Sequence, residues 1–165
     1  MTYATAANLL ERFSAEEIAQ RADRSIPRLV TAQMLATAAA GGDMSGFTAE
    51  EQAASAAVLA LVQGALADAA SEIDGYVASR YRVPLDPSPA IIRRLACDLA
   101  RHNLYDDQVT EVIQKRRDAA VATLRDIAGG KISLGDPASA PPSGGLVEYS
   151  GPAKVFSRPA NGGLR

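Results

Sequence analysis

The chain has 165 residues, a formal net charge of −2 and 47% hydrophobic residues, but only 5% aromatic ones and no tryptophan. This length makes one domain, or one domain with an appendage, with a core of modest size. A single cysteine, Cys97, excludes an internal disulfide and points to a reducing compartment, and a single histidine, His102, leaves no His/Cys set for zinc. Arg12, Glu16 and Glu17 interrupt any apolar run at the start, so no signal peptide is expected. No stretch is read as the ~20 apolar residues of a membrane span, and the expectation is a soluble, intracellular protein.

Alanine accounts for 33 residues, a fifth of the chain. It is the best helix former and fills little volume, which predicts closely spaced helices around a thin core. Charge is uneven. Residues 1–79 carry 4 Lys+Arg against 10 Asp+Glu, a balance of −6; residues 80–165 carry 13 against 9, a balance of +4. Such a split suits head-to-tail docking of one copy on the next, and equally suits solvated helix faces that simply differ in sign.

In chain order, TAANLLERF begins with Thr5 as an N-cap and predicts a short helix carrying Leu9, Leu10 and Phe13. Ser14 with Glu17 has capping-box spacing and predicts a second helix over 15–22. Residues 25–47 are less regular. Pro27 can start a helix with Leu29, Val30, Gln33, Met34 and Thr37 at helical spacing, before AAAGGDMSG forms a loop. Thr48 and Glu51 make another capping box. Val58, Leu61, Val62, Ala65, Leu66, Ala69, Ile73, Tyr76 and Val77 then predict one long helix over 49–79 with a single apolar stripe.

SEIDGYVASRYRVPL, residues 71–85, closes that helix. Asp74, Gly75, Tyr76, Arg80, Tyr81 and Pro84 read as structural packing and helix termination rather than an active site. Gly75 predicts close approach of a neighbouring helix and Tyr76 a largely buried ring. Arg80 and Arg82 suit the negative end of the helix dipole, and Pro84 stops the helix. Ser88 and Pro89 predict an N-cap and first turn for a buried helix carrying Ile91, Ile92, Leu95, Cys97, Leu99, His102 and Leu104. Asp106 or Asp107 starts the last helix, with Val109, Val112, Ile113, Ala120, Leu124 and Ile127 on one face and Gly129-Gly130 at its end. Beyond KISLG, the chain is rich in Pro and Gly and has no helical period. The fold expected is all-α: a small helical bundle with one long central helix over residues 1–135, then an extended arm over 136–165 able to add β-strands to a partner.

Catalytic readings are weak. His102 and Cys97 sit among leucines, which argues for core rather than chemistry. No Gly-rich phosphate loop is present. Lys115, Arg116 and Arg117 form a short basic cluster that suits a subunit contact, and a helical DNA-binding regulator built on Gln114–Arg117 is the alternative.

Four segments, in order, carry a resemblance: YATAANLLERFSAEEIAQRADR, ALADAASEIDGYVASRYRVPL, LACDLARHNLY and AAVATLRDIAGGKISLG. AKVFSRP at 153–159 adds a fifth, shorter one. Together they resemble the Mu-like phage head–tail adaptor (neck connector) family. The chain departs from it in an Ala/Gly-rich insertion between Ser25 and Phe47 and in His102, where an aromatic residue is usual. The resemblance implies a non-enzymatic ring, typically of twelve subunits, without a cofactor or metal. Its implied partners are the portal protein, a tail terminator or other neck protein, and genomic DNA passing through the channel without sequence specificity. It implies no membrane, and a place in the virion neck after assembly in the bacterial host cytoplasm. The portal-binding arm would use Val147, Tyr149, Val155, Phe156 and Arg158, with Lys115, Arg116 and Arg117 at the subunit interface.

Overall fold

A computed structural model describes residues 2–105 and 109–135. These residues are all-helical: α1 (Ala6–Arg12), α2 (Ala15–Ala22), α3 (Ala32–Ala39), α4 (Ala49–Val77), α5 (Ala90–Asn103) and α6 (Glu111–Ala128). The 29-residue α4 is the central element and meets all five other helices, α5 most extensively. Leu66, Ile73, Ile92, Leu95, Leu99, Leu124 and Ile127 fill the core with α4, α5 and α6, while Leu9, Ile18, Met34 and Leu35 seal it from α1, α2 and α3. Alanines 69, 70, 96, 100 and 120 are buried between these helices and allow their close approach. The arm assigned to 136–165 lies outside the described residues.

Of the four N-caps expected at Thr5, Ser14, Thr48 and Ser88, two form. Thr5 accepts from the Asn8 amide and Thr48 from the Glu51 amide, each with its reciprocal bond. Ser14 makes no side-chain cap bond, although α2 has the expected bounds. Glu17, its supposed partner, is turned instead toward Arg101 and Tyr105. A tertiary ion pair has outcompeted a local hydrogen bond.

Pro27 does not start a helix. The buried Asp23 carboxylate accepts hydrogen bonds from the amides of Ser25, Leu29 and Val30 at 2.8, 2.8 and 2.9 Å, which holds the chain out of helix until Thr31. Thr31 then caps α3 by accepting from Met34. The helix persists through Ala39, and Gly41 at φ +66° turns the chain away.

The long helix ends at Val77, two residues before the expected boundary. Its stripe includes Ser55, Val58, Val62, Ala65, Leu66, Ala69, Ala70, Ile73 and Val77, but Leu61 faces solvent. Two further expectations fail. Gly75 is exposed, and a Cβ placed on it would meet nothing within 4 Å. Tyr76 is half-buried rather than largely buried. The glycine therefore marks no close helix contact within the subunit. Gly75→Ala is expected to stabilise the isolated subunit by about 1 kcal/mol through helix propensity, measured by urea unfolding. A destabilised variant would reinstate the close approach.

An 18-residue window in α4 reaches a mean hydropathy of 1.5, so by length and composition this helix could cross a membrane, contrary to the sequence expectation. Its position at the centre of the bundle, between α5, α6 and the N-terminal helices, accounts for that apolarity on one side only. Just 39% of the window is buried.

α5 begins one residue later than expected, with Pro89 rather than Ser88 in the cap position. α6 begins at Glu111 after Thr110. Asp106 and Asp107, the expected starts, lie outside the described residues. Val109 precedes the helix and Val112 is 62% exposed, so neither joins the buried face of Ile113, Ala120, Val121, Leu124 and Ile127. Gly130, at φ +78°, ends α6 as anticipated.

Candidate docking surface

The C-terminal end of α4 is a junction of three chain segments. The Tyr3 hydroxyl donates to Asp74 on α4 and accepts from the Leu85 amide at 3.1 Å. Burial, reinforced by the Asp74 carboxylate, pushes the Tyr3 hydroxyl pKa up to about 12, so it stays a donor. Seven residues beyond Asp74, the buried Tyr81 hydroxyl accepts from the Leu134 amide at 3.1 Å. That bond holds the Tyr81 pKa below its ordinary value against the opposing effect of burial. A Cβ on Gly130 would collide with Nη1 of Arg80, so the guanidinium lies directly over the glycine that ends α6.

These contacts bring the segment after α4 and the segment after α6 side by side. Tyr81, Arg82, Pro84, Leu85, Asp86, Pro87, Leu134 and Gly135 line a groove of about 280 Å³ between them. Gly135, the last described residue, lies in the wall of this groove. Of the six residues read as packing and termination, Asp74 and Tyr81 are hydrogen-bonded in the junction, Arg80 lies on it and Pro84 lines the groove. Gly75 and Tyr76 play no part in those bonds. Val147, Tyr149, Val155, Phe156 and Arg158 lie outside the described residues.

The basic cluster is already engaged within the subunit. Lys115 pairs with Glu111 at 2.6 Å on the surface, and Arg117 reaches Glu72 of α4 at 3.4 Å. The Arg116 guanidinium stands 5.8 Å from the Phe13 ring centroid, a ring that also carries Arg101 at 4.5 Å and Arg12 at 5.6 Å. Arg101 meanwhile pairs with Glu17 at 2.6 Å. Part of the charge split between the two halves is thus neutralised inside one copy.

Cys97 is buried, and burial pushes its thiol pKa up to about 11, which leaves almost no thiolate at neutral pH. Native protein is expected to react with thiol reagents only on unfolding, as a time course with and without urea would show. His102 Nε2 lies 3.1 Å from Oε1 of Gln114, linking α5 to α6. Among the described residues, no three His, Cys, Asp or Glu side chains cluster as metal ligands.

Sequence reasoning missed the partners that close these junctions. Tyr3 lies 71 residues from Asp74, and Tyr105 lies 88 residues from Glu17. No spacing rule connects positions so far apart.

The described residues thus form an all-helical body whose α4 end is tied to the N-terminus and to the segment after α6 through Tyr3 and Tyr81. The sequence profile described as Bacteriophage Mu, Gp36 matches residues 3–148, and the chain belongs to that family. It is 38% identical over 76 residues to the Mu-like prophage FluMu protein gp36 of Haemophilus influenzae, covering 46% of this chain and 54% of that protein. It is 35% identical over 106 residues to gene product J of Escherichia phage Mu, covering 62% of this chain and 75% of that one. The match thus spans about half of the first relative and three quarters of the second.

Proposed function

We propose that this chain is a structural head–tail connector of a Mu-like phage, a non-enzymatic protein that joins a homo-oligomeric ring below the portal and offers the tail a platform. The observation that carries the reading is membership of the phage Mu Gp36 family across residues 3–148, which includes the whole body and the first part of the arm. The junction at the end of α4 supports it. Gly135, the residue before the expected arm with Val147, Tyr149, Val155, Phe156 and Arg158, lines a groove held by the Tyr81–Leu134 hydrogen bond. The arm's two short apolar runs suit strand addition to an exposed edge on the portal, with Phe156 as anchor. A tail terminator or other neck protein would dock below, and genomic DNA would pass without base-specific contact. The place of action is the virion neck, reached by assembly in the bacterial host cytoplasm.

Truncation after Gly135 tests this. The body is expected to keep its helical content and melting temperature while attachment to portal-containing heads is lost in a co-sedimentation assay. A truncated protein that still attaches would remove the arm from the connection. The DNA-binding alternative gains nothing from the fold. Gln114 is bonded to Asp118 and His102, and Arg117 to Glu72, so α6 does not present a free set of base-reading side chains.

A further inference from the structure

Between Ala53 and Ala67 the solvent-facing side of α4 is almost entirely apolar, with Gln63 its only exposed polar side chain. From Ala53 to Ala67 the helix contains no charged residue, and Ala53, Ala56, Ala57, Ala60, Gly64 and Ala67 are exposed. Beside it runs a hollow of about 600 Å³, lined by Ala54, Ala57, Val58, Ala60, Leu61 and the α2 end at Ala22–Ser25. It continues past Leu61 and Gly64 to Asp68, with Arg21 and Arg24 along the same wall.

Next to the hollow stands Ile26, 99% exposed. Exposed isoleucines are ordinary on mobile loops, but this one sits on a segment pinned by the three amide bonds to Asp23. It is a knob beside its own subunit's hollow, since Ser25 lines that hollow and Ile26 does not. Leu61, 36% exposed, lines both parts of the hollow. Two of the three exposed large hydrophobics among the described residues thus share one surface.

Charge on this surface also comes in a matched pair. Arg24 and Asp68 both line it, and neither forms an ion pair among the described residues. A knob beside a hollow, with a cation at one end and an anion farther along, is a patch complementary to itself under a two-fold rotation. We infer that a second copy of this chain covers the face: two copies pack α4 on α4 in antiparallel fashion, each Ile26 entering the other's hollow at Ala57–Leu61 and each Arg24 meeting the other's Asp68. Small residues let the two helix backbones approach closely, so that apolar contact is made along the length of the face. This dimer is a property of the unassembled protein and does not depend on the connector reading.

Sedimentation equilibrium of the full chain, over a wide range of concentrations, tests the inference. The parent is expected to fit a monomer–dimer equilibrium, and Leu61→Arg and Ile26→Asp each to weaken it by at least about tenfold. Both positions are solvent-facing in the subunit, so circular dichroism should report unchanged folding. Mixing Ile26→Cys with Leu61→Cys under oxidation is expected to give a disulfide-linked heterodimer, since Cys97 is buried. A parent that stays monomeric, an assembly that grows past a dimer, variants that associate like the parent, or no crosslink between the two cysteine forms would each overturn the two-fold contact. Loss of the dimer with head attachment intact would leave the connector reading standing.

Discussion

Asp23→Ala is expected to cost about 3 kcal/mol of folding stability, among the largest effects of any single polar substitution in this chain. The carboxylate satisfies the amides of Ser25, Leu29 and Val30, and the Val30 bond is buried. Alanine leaves these donors without an acceptor, and a buried orphan donor costs about 1–3 kcal/mol. The connection between α2 and α3 then loses its brace, so Val30, Met34 and Leu35 pack less firmly against the core. Asp23→Asn retains one acceptor oxygen and is expected to lose about half as much. Urea unfolding at neutral pH measures both, and a loss below about 1 kcal/mol for alanine would show that water replaces the carboxylate.

The same residue gives acid sensitivity a direction. Burial pushes the Asp23 carboxyl upward, but the Val30, Ser25 and Leu29 amides together with the Ser25 hydroxyl outweigh it and hold the pKa below the ordinary carboxylate range. A depressed folded-state pKa contributes stability that is complete above the unfolded value, near 3.9, and is lost as pH falls through the folded value. The stability gap between parent and Asp23→Ala should therefore be constant near neutrality and shrink in strong acid. A gap that stays unchanged across that range would mean the carboxylate contributes no linked protonation.

What could be read in the sequence follows the range of the forces involved. The long helix was legible because capping and 3.6-residue periodicity act over a few residues: Thr48, Glu51 and the Val58–Val77 stripe specify it almost completely. The short helix after Pro27 was misplaced because Asp23 reaches seven residues forward to Val30, beyond any local capping pattern. Gly75 was misread for another reason. Its cost in a helix is visible in sequence, but the space beside it is a tertiary property, and in the subunit that space is open solvent. The basic cluster at Lys115–Arg117 was legible as charge but not as commitment, since Glu72 and Phe13 come from distant segments. At the candidate site, Tyr81 and Pro84 were named from the sequence, whereas Tyr3 and Leu134 depend on how the termini of the body return to α4.

Glu17→Ala is expected to destabilise the subunit by about 2 kcal/mol, and the reason is tertiary. The carboxylate accepts from Arg101 Nε at 2.7 Å, pairs with Arg101 Nη2 at 2.6 Å, and takes the Tyr105 hydroxyl as well. It thereby joins α2 to the end of α5. Arg101 is held in place by stacking over Phe13 at 4.5 Å and Tyr105 at 5.9 Å, while Arg21 covers Tyr105 at 4.5 Å. Removing one partner of a fully buried pair costs about 3–5 kcal/mol; this pair keeps some contact with water, so a smaller loss is appropriate. A local capping role predicts a different pattern. In a capping box, Ser14→Ala and Glu17→Ala would each cost about 1 kcal/mol, since both side chains serve the first turn of α2. Because Ser14 makes no side-chain cap bond, Ser14→Ala is expected to cost less than about 0.5 kcal/mol. A double-mutant cycle with Arg101→Met separates the pair from the helix: coupling of at least about 1 kcal/mol between Glu17 and Arg101 is expected. Equal losses for Ser14→Ala and Glu17→Ala, with no coupling to Arg101, would return Glu17 to the cap and leave α2 and α5 joined by apolar packing alone.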